Sequence, residues 1–168
     1  MKKISLLFIV FLFSFQLFSQ SKVGTIDVEY ILAKMPELAQ VETDVNAYGK
    51  ELEGQAKVKF DTYQVLIKEY QEKESSFTEA DKLAKQNEII DLEKEMQQFR
   101  QNSTTLIQIR QNELLQPLYK KIGGVLETIA GEQGFTQIFT INNTIAYLDP
   151  KLDLTIVIME KLGIPIEE

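Results

Sequence analysis

The sequence predicts an α+β protein, a long antiparallel helical hairpin carried by a small β body. Three observations predict it. From Glu37 to Ile122 the chain holds only two glycines, Gly49 and Gly54, and one proline, Pro117. Within that stretch apolar residues recur three and four apart on both sides of Ser75-Ser76-Phe77-Thr78. Such spacing puts one apolar stripe on each of two helices, as a coiled-coil seam requires. Outside it lie short runs rich in β-branched and aromatic residues, which read as strands.

The chain opens on a targeting pattern. Lys2 and Lys3 precede an apolar run, Ile4 to Phe18, and Ser19 is a small residue before a cut at Gln20. The run is short for a bilayer span, which needs about 20 apolar residues. Residues 1–19 therefore read as a secretory signal peptide. Leu17 is bulky for the position three before the cut, which leaves an uncleaved anchor as the alternative. With Lys2 and Lys3 removed, 16 basic and 25 acidic residues remain, a net charge of −9. So acidic a chain is a poor partner for nucleic acid or anionic lipid, which need clustered Lys and Arg. There is no cysteine, histidine or tryptophan. That removes disulfides, thiolate zinc sites and the commonest general base.

Residues 20–36 begin the body. Lys22 to Val28 reads as a strand, and Val28 to Met35 as a short helix capped by Asp27. Pro36 breaks it. Residues 37–122 form the hairpin, with its tip near 75–78. The seam of the first arm is Leu38, Val41, Val45, Tyr48, Leu52, Ala56, Phe60, Tyr63, Ile67 and Tyr70. Its two successive four-residue steps, Leu52 to Ala56 to Phe60, should unwind the supercoil locally. The second arm uses Ile89, Leu92, Met96, Phe99, Ser103 and Leu106. Thr78 and Asp81 make a variant capping box at its start. An arm of this length, roughly 57 Å at about 1.5 Å per residue, has to project. If the hairpin is symmetric about 76–77, Gly49 lies level with Thr104 and Thr105, and Gly54 with Phe99 and Arg100. The two glycines then serve either close packing or a bend. Pro117 should kink the second arm at its base, Gly123-Gly124 loosen it, and Gly131 or Gly134 end it.

Residues 123–168 complete the body. Phe135 to Ile141 and Thr144 to Leu148 are predicted strands joined by Asn142-Asn143 into a β-hairpin. Asp153 should cap a last helix, Leu154 to Leu162, apolar on most of its surface and buried. A body of about 65 residues is a marginal core, and three strands leave open edges. Both point to oligomerisation through the strands, with Val23, Ile26, Ile138, Ile141 and Tyr147 as the candidate contacts.

Val23-Gly24-Thr25-Ile26-Asp27-Val28-Glu29-Tyr30-Ile31-Leu32, Gly134-Phe135-Thr136-Gln137-Ile138-Phe139-Thr140, Ala146-Tyr147 and Asp153-Leu154-Thr155 stand in an order, around long arms, that resembles the Skp/OmpH family of periplasmic chaperones. The resemblance runs from Lys22 to Leu162. It implies a homotrimer with a barrel-like body and three tentacle arms around a cavity that holds unfolded outer-membrane β-barrel proteins in the periplasm. It implies no nucleotide, metal or other cofactor. The best-known members are basic and this chain is acidic. From Lys68 to Lys85 the tip carries four lysines and five acids, so a lipid contact there is doubtful.

A chaperone needs exposed apolar side chains on its arms. Outside the seam these are Val65, Leu66, Phe77, Ile90 and Ile107, the candidates for client binding. Glu51 with Glu53, and Glu93 with Glu95, lie two apart on a helix and point to different faces. They read as solvated surface, and no constellation supports an enzyme. The reading is ATP-independent holding of unfolded chains. The alternative is an envelope coiled-coil scaffold or spacer that binds one folded partner.

Overall fold

A computed structural model of the protein describes residues 21–142 and 144–166. The signal-peptide reading of residues 1–19 lies outside them. The chain divides into two compact units: residues up to Met35 with those from Tyr119 onward, and Pro36–Leu118.

In the first unit β1 (Lys22–Ile26) pairs in parallel with β2 (Phe135–Thr140), with Gly24 opposite Ile138 and Ile26 opposite Thr140. Gly24 is required by space. A Cβ there would meet the Phe135 ring at 2.7 Å and the Leu152 carbonyl oxygen at 3.1 Å. Asp27 ends β1 and caps α1 (Val28–Lys34), accepting from the Tyr30 N–H at 2.8 Å. Helix α4 (Thr155–Leu162) packs against α1. Its fully buried Ile158 and Met159 join Ile26, Ile31, Leu32, Met35, Ile122, Ile129, Leu154 and Ile164 in the core. A hydrogen-bond chain ties α4 to the end of β1. The Asp27 N–H donates to Thr155 Oγ1 at 2.8 Å, and that hydroxyl donates to Asp153 Oδ1 at 2.6 Å.

The body differs from its prediction at three places. Thr144 to Leu148 is not a strand, and β2 forms no hairpin with it. The Asn142 turn is real: its Oδ1 accepts from the Thr144 N–H at 3.0 Å. Beyond that turn Tyr147 is 84% exposed. Among the described residues the sheet has two strands, and the whole helical hairpin is the crossover that a parallel pair needs. Second, α4 buries one face only, and Ile156 and Val157 stay exposed. Third, the glycines do not loosen the long helix. Helix α3 (Glu79–Gln133) runs unbroken through Pro117, Gly123, Gly124 and Gly131, and ends at Gly134 with φ +71°. Glycine carries no Cβ penalty in that left-handed position. Lys22 Nζ closes this end, donating to the Gln133 carbonyl at 3.0 Å and lying 3.9 Å from the Phe135 ring centre.

In the second unit α2 (Leu38–Lys73) and the first part of α3 form the hairpin, turning through a 3₁₀ segment at Glu74–Ser76. The Asp81 N–H donates to Thr78 Oγ1 at 3.2 Å, and the Thr78 N–H to Asp81 Oδ2 at 3.4 Å, a reciprocal capping box. Gln86 donates to Tyr70 Oη at 2.8 Å, Tyr63 donates to Glu93, and Gly49 faces Ile107. These facing pairs share one register. It is offset by about two residues from symmetry about 76–77, so Gly49 is not level with Thr104.

The seam is also shifted. Burial passes from Leu52 and Ala56 to Lys59, Tyr63 and Leu66, while Phe60 is exposed. On α3 it passes from Phe99 and Ser103 to Ile107, while Leu106 is exposed. The heptad break thus falls at one level on both helices, and after it α2 returns to a three-residue step. Neither glycine of α2 is needed for packing. A Cβ at Gly49 would make an ordinary 3.9 Å contact with Ile107, and one at Gly54 meets nothing within 4 Å. Gly54→Ala is therefore expected to raise the urea midpoint, adding about 0.5–1 kcal/mol of helix stability. A loss of stability would mean that Gly54 touches another copy of the chain.

Candidate functional site

Once Lys59 occupies the seam, the hairpin has two unlike edges. One carries Phe60, Met96, Phe99 and Arg100. Phe60 lies just past the seam position of Lys59, and Arg100 just past that of Phe99. In an antiparallel pair such flanking positions meet on the same side of the seam. There, Ala56, Lys57, Lys59, Phe60, Met96, Phe99 and Arg100 line a hollow of about 390 Å³. Small Ala56 leaves the space, and the aromatic rings and the Met96 thioether floor it. A second hollow of about 520 Å³ adjoins it across Met96 and Arg100, reaching Tyr63, Glu93, Gln97 and Gln101. Ile67 stands one heptad beyond Phe60, and Leu83 and Ile90 stand at heptad steps before Gln97, so the apolar strip extends towards the tip. Phe60 is 49% exposed and Ile90 45%.

The opposite edge is polar. Thr62, Leu66, Ala84, Asn87, Glu88, Asp91, Leu92 and Glu95 border a hollow of about 600 Å³ there. Among the described residues no group of three acidic side chains is placed to hold a metal ion. Lys59 Nζ crosses the seam to Glu95 Oε1 at 2.5 Å and sits 5.6 Å from the Phe99 ring centre. A cation can thus replace an apolar residue in the seam, with its stem packed and its head paired. The Tyr63 phenol, hydrogen-bonded to the Glu93 carboxylate, is raised above its ordinary pKa chiefly by that bond. At the tip the Glu69 carboxyl is lowered by Lys73, and the Lys82 and Lys85 ammonium groups are raised by Glu79 and Glu88. These are exposed surface pairs and add little stability.

The five residues expected to bind clients are not brought together. Ile90 lies on the apolar edge. Val65, 66% exposed, shares a stripe with Val58 one heptad before it, away from that edge. Leu66 is only 8% exposed, a seam residue and not an outward one, because the Lys59 step moves the seam onto it. Ile107 is half-buried in the seam opposite Gly49. Phe77 is half-buried at the tip, its ring centre 6.1 Å from that of Tyr70. Phe60, Met96 and Arg100 were not expected there. Their signal is the three-residue step from Ala56 to Lys59, hidden because Phe60 is the more apolar neighbour.

Among the candidate oligomer contacts, Ile26 is buried in the body's own core. Val23, Ile138 and Ile141 are half-buried, and Tyr147 is exposed. Beside Tyr147, with Thr25, Phe139, Thr140, Asn142, Thr144 and Ile145, lies a hollow of about 270 Å³. The Thr25 hydroxyl oxygen is buried and has no hydrogen-bond partner among the described residues. Among the described residues no helix is long and apolar enough to cross a membrane.

The model of the OmpH-like outer membrane protein family matches residues 22–162. Six solved chains match the fold. One is a crystal structure from Caulobacter crescentus CB15 assigned as an outer membrane chaperone (OmpH-like). It aligns with a TM-score of 0.64 at 9% identity, covering 86% of this chain and 85% of that one. No curated protein matches. With nearly all of its described length, residues 22–162, matched by the family model, the chain belongs to the OmpH-like family.

Proposed function

We infer that the protein is a non-enzymatic, ATP-independent periplasmic holdase that keeps unfolded outer-membrane β-barrel proteins from aggregating. The observation that carries this reading is the apolar edge of the hairpin, where Phe60, about half exposed, lines an open hollow with Met96 and Phe99. Exposed apolar side chains of this kind fit capture of apolar segments. The family and the fold of its relative agree with that use. The body supports a homotrimer as the working form. Phe139, Tyr147, Ile156 and Val157 are exposed apolar residues there, which a second copy could cover. Three hairpins acting on one client would add weak contacts into useful affinity. Anionic lipid is not a favoured partner for a chain of this net charge.

The test is one titration. The mass of the mature chain is fixed in solution, and the chain is then added to a β-barrel protein diluted from urea while light scattering is followed. Suppression near one trimer per client is expected. A trimer that leaves aggregation unchanged overturns the reading and favours an envelope scaffold that binds a folded partner. A stable monomer overturns the trimer.

A further inference from the structure

We propose that the hollow at Phe60, Met96 and Phe99 is a subsite for a peptide segment in which a large apolar side chain stands next to a carboxylate. The proposal rests on the holdase reading and names the client chemistry of its apolar edge. The floor of the hollow is apolar and its volume of about 390 Å³ is open to solvent on one side. Its charged lining residues, Lys57, Lys59 and Arg100, are all cations.

The three cations are not equivalent. Lys57 is paired with Asp61 at 2.8 Å and Lys59 with Glu95 at 2.5 Å. Arg100 has no ion-pair partner among the described residues, although Lys68, Lys73, Lys82, Lys85, Lys94 and Arg110 of the hairpin each have one. Its guanidinium is therefore the free charge at the rim, beside the Met96 and Phe99 side chains. Guanidinium binds carboxylate through two parallel N–H donors, a geometry that an ammonium or an amide does not match. Glu93 stands in the adjoining hollow, across Met96, and accepts from the Tyr63 hydroxyl. Arg100 borders both hollows, so Glu93 offsets its charge in the second and the first is the better place for a client carboxylate. An apolar side chain enters between Phe60 and Phe99, and its neighbouring carboxylate meets Arg100. The overall negative charge weakens capture of acidic segments in general, so the preference is confined to acids adjacent to a large apolar group.

The test uses the full mature chain and three unstructured fluorescent peptides of one Gly-Ser host sequence. One carries a central phenylalanine followed by aspartate, the second by asparagine and the third by lysine. Fluorescence anisotropy is expected to show the aspartate peptide binding about fivefold tighter than the asparagine peptide, with the lysine peptide weakest. Arg100→Gln should erase the aspartate preference, so that the aspartate and asparagine peptides bind alike. Phe60→Ser should weaken all three. Equal binding of the aspartate and asparagine peptides overturns the proposal, as does a preference that survives Arg100→Gln. Suppression of aggregation by the same protein sample is measured alongside. If it is present while the preference is absent, the subsite fails and the holdase reading stands. If suppression itself is absent, the holdase reading fails, and the peptide preference then reports on a binding site of another use.

Discussion

A chain carrying Phe60→Ser and Ile90→Ser together is expected to need at least tenfold more protein to halve the aggregation of a diluted β-barrel client. Both side chains are about half exposed on one edge of the hairpin. Full burial of such a side chain against a client contributes about 1.5–3 kcal/mol, and each factor of ten corresponds to about 1.4 kcal/mol. Repetition over several copies would enlarge the loss. The stability of the chain itself should change by less than about 1 kcal/mol for the pair, since exposed positions are tolerant. Val58→Ser with Val65→Ser is the matched control. Those valines are more exposed, at 66% each, but lie on a different stripe. If the valine pair costs as much activity as the first pair, exposure alone governs capture and the edge has no special part. Light scattering measures the activity and a urea melt the stability.

The second large effect is expected in the body. Ile158→Ala should lower the free energy of unfolding by about 3–4 kcal/mol, read as a fall in the urea midpoint at unchanged slope. Ile158 is 0% exposed, on the face of α4 that packs against α1, where Ile31 is also fully buried. Removal of its outer carbons leaves a cavity among Ile31, Met159 and their neighbours, and a small core has few contacts to spare. Ile156→Ala, on the exposed side of the same helix, should cost under about 1 kcal/mol in an isolated chain. A cost near that of Ile158→Ala would place Ile156 in an interface between copies.

The elements legible in the sequence are those whose signals are local. Asp27 before Val28, Thr78 with Asp81, and Gly134 past the long helix all act through their own backbone neighbours, and each cap is found where its residue stands. The hairpin itself follows from apolar spacing sustained over many turns. Two readings differ from the structure because they turn on partners distant in the chain. Thr144 to Leu148 has strand-like composition, but β2 pairs with β1 from the other end of the sequence. The seam beyond Ala56 turns on whether Lys59 or Phe60 faces α3, and Lys59 does, its ammonium paired with Glu95 and 5.6 Å from the Phe99 ring centre. Hydrophobicity alone ranks Phe60 first. The difference carries into the candidate binding site, because the sequence places Phe60 inside the seam and Leu66 outside it. Gly123 and Gly124 are weak helix formers, yet α3 continues through them, because Leu118, Ile122 and Ile129 are buried on either side.

The parallel pairing of β1 with β2 sets the order in which the chain can fold. Between Ile26 and Phe135 lie 108 residues. Closing a flexible loop of that length costs roughly 4 kcal/mol of chain entropy, more than a two-stranded sheet of five or six residues can readily offset. The helical hairpin has its closing contacts near its own turn, and helices of this kind form in microseconds. Once it has formed, little of the intervening chain remains free to search, and the strands meet late. During synthesis β1 emerges first and waits for the last third of the polypeptide with its backbone donors and acceptors unpaired. A nascent copy of this protein is therefore, for that interval, itself an unfolded chain with an open strand.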